Sequence, residues 1–352
     1  MRVYKVVELA TSDAPPLRQS VDEIIERGER ARRRRRTALA TASAAAAVLA
    51  VVGLAAVARL GTPTEPEPPL TPAAGPLPDF PQPSSPFEFT ISGYQVGRFR
   101  VGAPTGASAA YQRAPIYADG ATTKVNDTTA PVSVAELVVY RPGAFAADRL
   151  TNTRPATVAG RDALQYTNEH GLVLAWQYTT GGWATVNGGG PNRYEVSIEE
   201  LEDIAAGLRP GEPTPARVPF TLSYVPAGYR AVEVSSGAYP GPQLGLDPAF
   251  MARGGALFSN PLPEPRGLTG PWNYGFGPVG GFTISLIPNS QSNYPLKPGE
   301  AKNPRCPSEA LCHAWNADGS LQIEIVGDGR LPDAELLKIL NGLTLVPSAL
   351  TQ

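Results

Sequence analysis

The sequence predicts an α+β protein: one N-terminal transmembrane helix, then two tandem, internally duplicated domains, each an antiparallel sheet with a C-terminal helix. Three observations predict it. Residues 38–58 form an uncharged Ala/Val/Leu run directly behind five arginines. Two ordered motifs recur at nearly equal spacing further along the chain. In each copy, apolar alternation of strand type gives way to a helical period at the end.

The tail, 1–37, carries nine Arg and one Lys against six acids, a net of +4 in a chain whose total is −2. Basic charge confined to one block argues against a nucleic-acid binder, whose charge would be spread over a domain. Ser20-Val21-Asp22-Glu23 is a capping box, the signature of a helix start. Val21, Ile24 and Ile25 then give a narrow apolar stripe, which suits either a juxtamembrane helix or a docking helix for a cytoplasmic partner. Arg32, Arg33, Arg34, Arg35 and Arg36 are placed against anionic lipid heads, where they fix topology.

The span is assigned to 38–60. Residues 38–58 as a helix reach roughly 31 Å, close to a hydrocarbon core of roughly 30 Å. Positive residues stay inside, so the expected topology is cell membrane, single-pass, N-terminus cytoplasmic and C-terminus extracytoplasmic. The rival is a cleaved signal peptide ending at Ala56-Val57-Ala58. No Cys follows the run, which excludes a lipid-modified N-terminal cysteine.

Residues 61–86 are proline-rich and cannot build a core; in extended polyproline geometry they would reach up to roughly 80 Å. Beyond them, Phe89-Thr90-Ile91-Ser92 recurs as Phe220-Thr221-Leu222-Ser223. Glu200-Leu201-x-x-Ile204-x-x-Gly207-Leu208 recurs as Glu335-Leu336-x-x-Ile339-x-x-Gly342-Leu343. Motif-to-motif spacing is 111 residues in one copy and 115 in the other. The copies are therefore set at 87–212 and 217–348. Leu137–Arg141 and Phe282–Ile287 read as middle strands, and Gly181-Gly182 and Asp318-Gly319 as hairpin turns. Ser197 and Glu200 form a capping box, and Gly207 and Gly342 stand where a left-handed cap would end each helix.

Cys306 and Cys312, the only two cysteines, bracket five residues and read as a structural disulfide outside the cytoplasm. A zinc site would need more Cys and His than His313 supplies. Only His170 and His313 are present, with no Gly-x-Ser-x-Gly or His-Glu-x-x-His, so no enzymatic activity, catalytic residue, metal or cofactor is assigned. The Gly/Pro-rich stretch 237–281 holds Trp272, Tyr274 and Phe276. These aromatics either form a binding surface, stacking on sugars or anchoring a partner, or pack as a satellite core under a long loop.

The layout of acidic-then-arginine tail (Val21-Asp22-Glu23-Ile24-Ile25 to Arg36), single Ala-rich span and repeat-built extracytoplasmic region resembles a group of uncharacterised single-pass membrane proteins of high-GC bacteria. Some of that group look like the membrane regulators that accompany extracytoplasmic-function sigma factors. Anti-sigma factors of that kind carry a zinc-binding His-x-x-x-Cys-x-x-Cys pattern, and residues 1–37 hold neither His nor Cys. The expected function is a membrane-anchored extracytoplasmic binding or sensor-like module for an envelope ligand. The alternatives are a transmembrane regulator whose cytoplasmic helix docks a protein such as a sigma factor, and an envelope enzyme.

Overall fold

The computed structural model describes residues 77, 79–125, 128–168, 170–189, 194–241, 244–272 and 280–346. All of them belong to one unit, Thr71–Gln352. In the first half the strands are β1 (Glu88–Ile91), β2 (Tyr94–Val96), β3 (Phe99–Val101), β4 (Gly106–Ser108), β5 (Tyr111–Val125), β6 (Thr128–Tyr140), β7 (Arg154–Val158), β8 (Arg161–Asn168), β9 (Gly171–Thr179), β10 (Gly182–Gly188) and β11 (Pro210–Pro215). Helix α1 (Ile198–Ala206) lies between β10 and β11. The second half contains β12 (Phe220–Leu222), β13 (Arg230–Ser236), β14 (Gly245–Leu246), the short α2 (Pro248–Met251), β15 (Gly254–Ser259), β16 (Gly281–Pro288), β17 (Arg305–Ser308), β18 (Leu311–Trp315), β19 (Leu321–Gly327), α3 (Asp333–Asn341) and β20 (Leu343–Leu345).

Among the described residues the class is mostly β, with 49% strand and 11% helix, and this corrects the α+β expectation. One antiparallel sheet runs through both halves in the order β17-β18-β19-β16-β15-β13-β4-β5-β6-β10-β9-β8-β7. The join is β4 against β13, with Glu233 opposite Ser108, Val234 opposite Ala107 and Ser235 opposite Gly106. The helices are too short to define layers of their own. At about 1.5 Å per residue, nine residues cover about 14 Å of a far wider sheet.

The membrane, transmembrane and signal-anchor reading is also corrected. Among the described residues no helix is long and apolar enough to cross a membrane. The 38–60 stretch on which the span was placed lies outside the described residues, as do the 1–37 tail and Arg32–Arg36.

The recurring motifs meet in the same way in each half. β1 pairs with β11, just past α1, and β12 pairs with β20, just past α3. The Ser92 N–H donates to Arg209 O (3.4 Å), and the Ser223 N–H to Gly342 O (2.9 Å). Tyr94 O–H donates to Ile204 O at 2.7 Å, and Tyr224 O–H donates to the Glu335 carboxylate. Gly207 and Gly342 are not left-handed: their φ values are −74° and −86°. Space is what they provide. A Cβ on Gly207 would sit 2.5 Å from the Tyr94 ring, and one on Gly342 2.9 Å from Ser223 Oγ.

Local chemistry explains the elements. Ser197 Oγ accepts from Glu200 N and the Glu200 carboxylate accepts from Ser197 N, which starts α1. Leu201, Ile204 and Ala205 then bury against Leu174, Trp176, Ala184 and Val186. Alternation along β6 puts Leu137 and Val139 in this core and sends Val138 and Tyr140 to the opposite face. The second core holds Phe258, Phe282, Ile284, Ile325, Leu336 and Ile339. Cys306 on β17 and Cys312 on β18 are disulfide-bonded, closing that hairpin at the sheet's end.

Candidate functional site

The two halves meet around a buried charge cluster. Arg113 on β5, Glu136 on β6 and Glu233 on β13 are each 0% exposed. Arg113 Nη2 donates to Glu233 Oε1, and Arg113 Nη1 lies 3.5 Å from Glu136 Oε1. Tyr111 O–H donates to Glu233 Oε2 at 2.8 Å. Burial alone would pull the Arg113 pKa down. The Glu233 and Glu136 carboxylates more than reverse this and hold the guanidinium charged. Burial, reinforced by the Glu233 charge, pushes the Tyr111 phenol well above its ordinary value, so it stays a donor.

An aromatic layer continues from the cluster on the sheet face away from α1. Trp272 packs 5.4 Å from Tyr111, Tyr111 lies 6.0 Å from Tyr140, and Tyr140 lies 4.7 Å from Phe145. Phe145 in turn sits 5.9 Å from Trp183. The loop bearing Trp272 comes from the second half and is fastened to the first. Leu268 N donates to Ala144 O (2.9 Å), and Ala146 N donates to Leu268 O (2.8 Å). Trp272 Nε1 closes the loop on Glu264 O at 3.2 Å.

Trp272 lines two clefts. One, of about 690 Å³, is of mixed polarity and includes Arg149, Tyr166, Asn168 and His170. The other, of about 440 Å³, is apolar and includes Phe87, Val232, Leu262 and Pro263. Leu262 is 50% exposed, which is uncommon for a leucine in this fold.

Trp272 is thus at the seam, while Tyr274 and Phe276 lie outside the described residues. The disulfide is far along the sheet, on β17 and β18. Sequence reasoning missed Arg113, Glu136 and Glu233, which are 23 and 97 residues apart. A signal did exist. Glu136 and Glu233 each interrupt an apolar strand run, and a charge in such a run needs a partner.

No protein-family model and no curated protein matches this chain. Two solved MucB structures are similar to it. The crystal structure of MucB in complex with MucA(peri) is 11% identical, with 73% of this chain and 92% of that chain covered at a TM-score of 0.22. The MucA/MucB complex structure from Pseudomonas aeruginosa gives the same identity and coverage at a TM-score of 0.21.

A second polar cluster surrounds His313, which is 1% exposed. Arg305 Nε donates to His313 Nε2 at 3.2 Å. Arginine only donates, so His313 is neutral with its proton on Nδ1. Burial, aided by the Arg305 charge, brings its pKa down to about 4. An unfolded histidine titrates near 6.5, so between those values the unfolded chain binds the extra proton. The His313 contribution is therefore full above pH 6.5 and lost as pH falls towards 4. Urea midpoints at pH 7 and 4.5 are expected to differ less for His313→Gln than for the parent chain; an equal difference in the two proteins would mean that His313 adds nothing to the pH dependence of stability.

Proposed function

We propose that this chain is an extracytoplasmic binding module, non-catalytic in itself, whose ligand occupies the seam at Trp272. The observation that carries the reading is the apolar cleft: an anchored, proline-rich loop holds Trp272 and a half-exposed Leu262 over an open wall. Surface apolar groups gathered in a concavity mark a ligand or partner site more often than scattered ones do. The ionisable groups beneath favour binding over chemistry, because Arg113, Glu233 and Tyr111 are committed to one another. The Cys306–Cys312 disulfide supports a location outside the cytoplasm, where such bonds persist.

The test is a photo-crosslinking side chain at position 262 in producing cells, with a matched probe at the exposed position 212 as control. A component captured at 262 and absent at 212 is then titrated against purified protein. Leu262→Asp should weaken its binding at least about tenfold, since burying one leucine is worth about 1.5–3 kcal/mol. Identical capture at both positions, or unchanged affinity in Leu262→Asp, would overturn the reading.

A further inference from the structure

The apolar cleft is lined by part of a strand edge that, among the described residues, no other strand pairs. β13 runs from Arg230 to Ser236, but β4 covers only Glu233–Ser235. β4 stops because Ser108 turns the chain: its Oγ accepts from Ala110 N (3.2 Å) and from Tyr111 N (3.0 Å). Arg230, Ala231 and Val232 pair with β15 on one side, apart from a bulge at Val232. On the other side, among the described residues, no strand pairs with them. The three residues line the cleft together with Phe87, Leu262 and Trp272.

Three further observations select the occupant. First, two carbonyls of the cleft wall, those of Pro86 and Phe87, are already bonded. Arg141 Nη2 donates to Pro86 O at 2.8 Å, and Ala216 N donates to Phe87 O at 2.8 Å. The β13 edge, by contrast, has no strand on that side among the described residues. Second, the strands at the two ends of the main strand order, β7 and β17, each carry a proline, Pro155 and Pro307, which disfavours strand addition there. Arg230-Ala231-Val232 carries none. Third, the rim is charge-balanced by Arg230 and Glu264, and the interior is apolar, so a strongly charged ligand gains nothing there.

We propose that the cleft takes an extended, largely apolar peptide segment of a partner polypeptide, which adds as a strand to Arg230–Val232 in line with β4. Main-chain hydrogen bonds to the edge supply affinity, and one apolar side chain seats between Leu262 and Trp272. Three paired residues span about 10 Å at about 3.3 Å each. This deepens the binding-module reading and rests on it.

A random heptapeptide display library, panned on the full chain and counter-selected on Leu262→Asp, provides the probe. Ala109→Lys, which crowds the cleft from the opposite wall, serves as a second variant. A selected peptide should slow amide exchange at Arg230–Val232. N-methylation of alternate peptide nitrogens should weaken binding at least about tenfold while the intervening positions change little, the period-two mark of a strand. A flat N-methyl scan, or absence of protection at Arg230–Val232, overturns strand addition while a peptide sensitive to Leu262→Asp leaves the binding module standing. Failure to select any peptide sensitive to either variant also overturns it, and the crosslinking at position 262 then judges the module independently.

Discussion

Glu233→Ala is expected to destabilise the protein by about 3–5 kcal/mol, the range for removing one partner of a buried ion pair. The carboxylate accepts from both Arg113 and Tyr111, all three with 0% exposure. Without it, Arg113 keeps Glu136 at 3.5 Å, and the Tyr111 hydroxyl loses its acceptor in a place water does not reach. Each loss carries a desolvation penalty of its own. Tyr111→Phe removes one hydrogen bond to a charged group and should cost only about 1.5–3 kcal/mol. Replacing Arg113, Glu136 and Glu233 together by Met, Leu and Met should cost far less than the sum of the single changes, because no charge is then left unpaired. Urea unfolding of these three variants and of the single changes at Arg113 and Glu136 measures this. A cost below about 1 kcal/mol for Glu233→Ala would mean water reaches the cluster.

What the sequence made legible follows from how local each signal is. The capping box at Ser197 and the hairpins at Gly181-Gly182 and Asp318-Gly319 are decided within a few residues, and the structure contains each of them. The disulfide was equally plain, since two cysteines allow one pairing. The merging of the halves into one sheet was not legible. It depends on Gly106-Ala107-Ser108, three small residues with no strand signature, whose pairing with β13 is set across more than 120 residues of chain. The same distance hid the charge cluster. Gly207 and Gly342 show the converse error: the residue type was read as a conformational need, and the actual reason is the Tyr94 and Ser223 atoms packed against them. Of the candidate surface at Trp272, Tyr274 and Phe276, the first lies at the seam, anchored by Tyr111 and Glu264.

Phe282→Ala tests whether the join matters for stability. Phe282 is 0% exposed, lies directly opposite Phe258 across β15 and β16, and stacks on it at 4.8 Å with a 6° interplanar angle. Tyr229 packs 5.5 Å away. Truncation there should cost about 3–5 kcal/mol, since the cavity lies between strands that cannot close over it. The more informative quantity is where that cost is felt. If β13 leaves, β4 loses its neighbour and Arg113 loses Glu233, so the first half cannot keep its own stability. Amide exchange at Leu137 and Leu174 in the first half should therefore accelerate by the same factor as at Ile284 in the second. Retention of parental protection at Leu137 and Leu174 while Ile284 is lost would mean that the halves unfold separately, the buried ion pairs contributing little to hold them together.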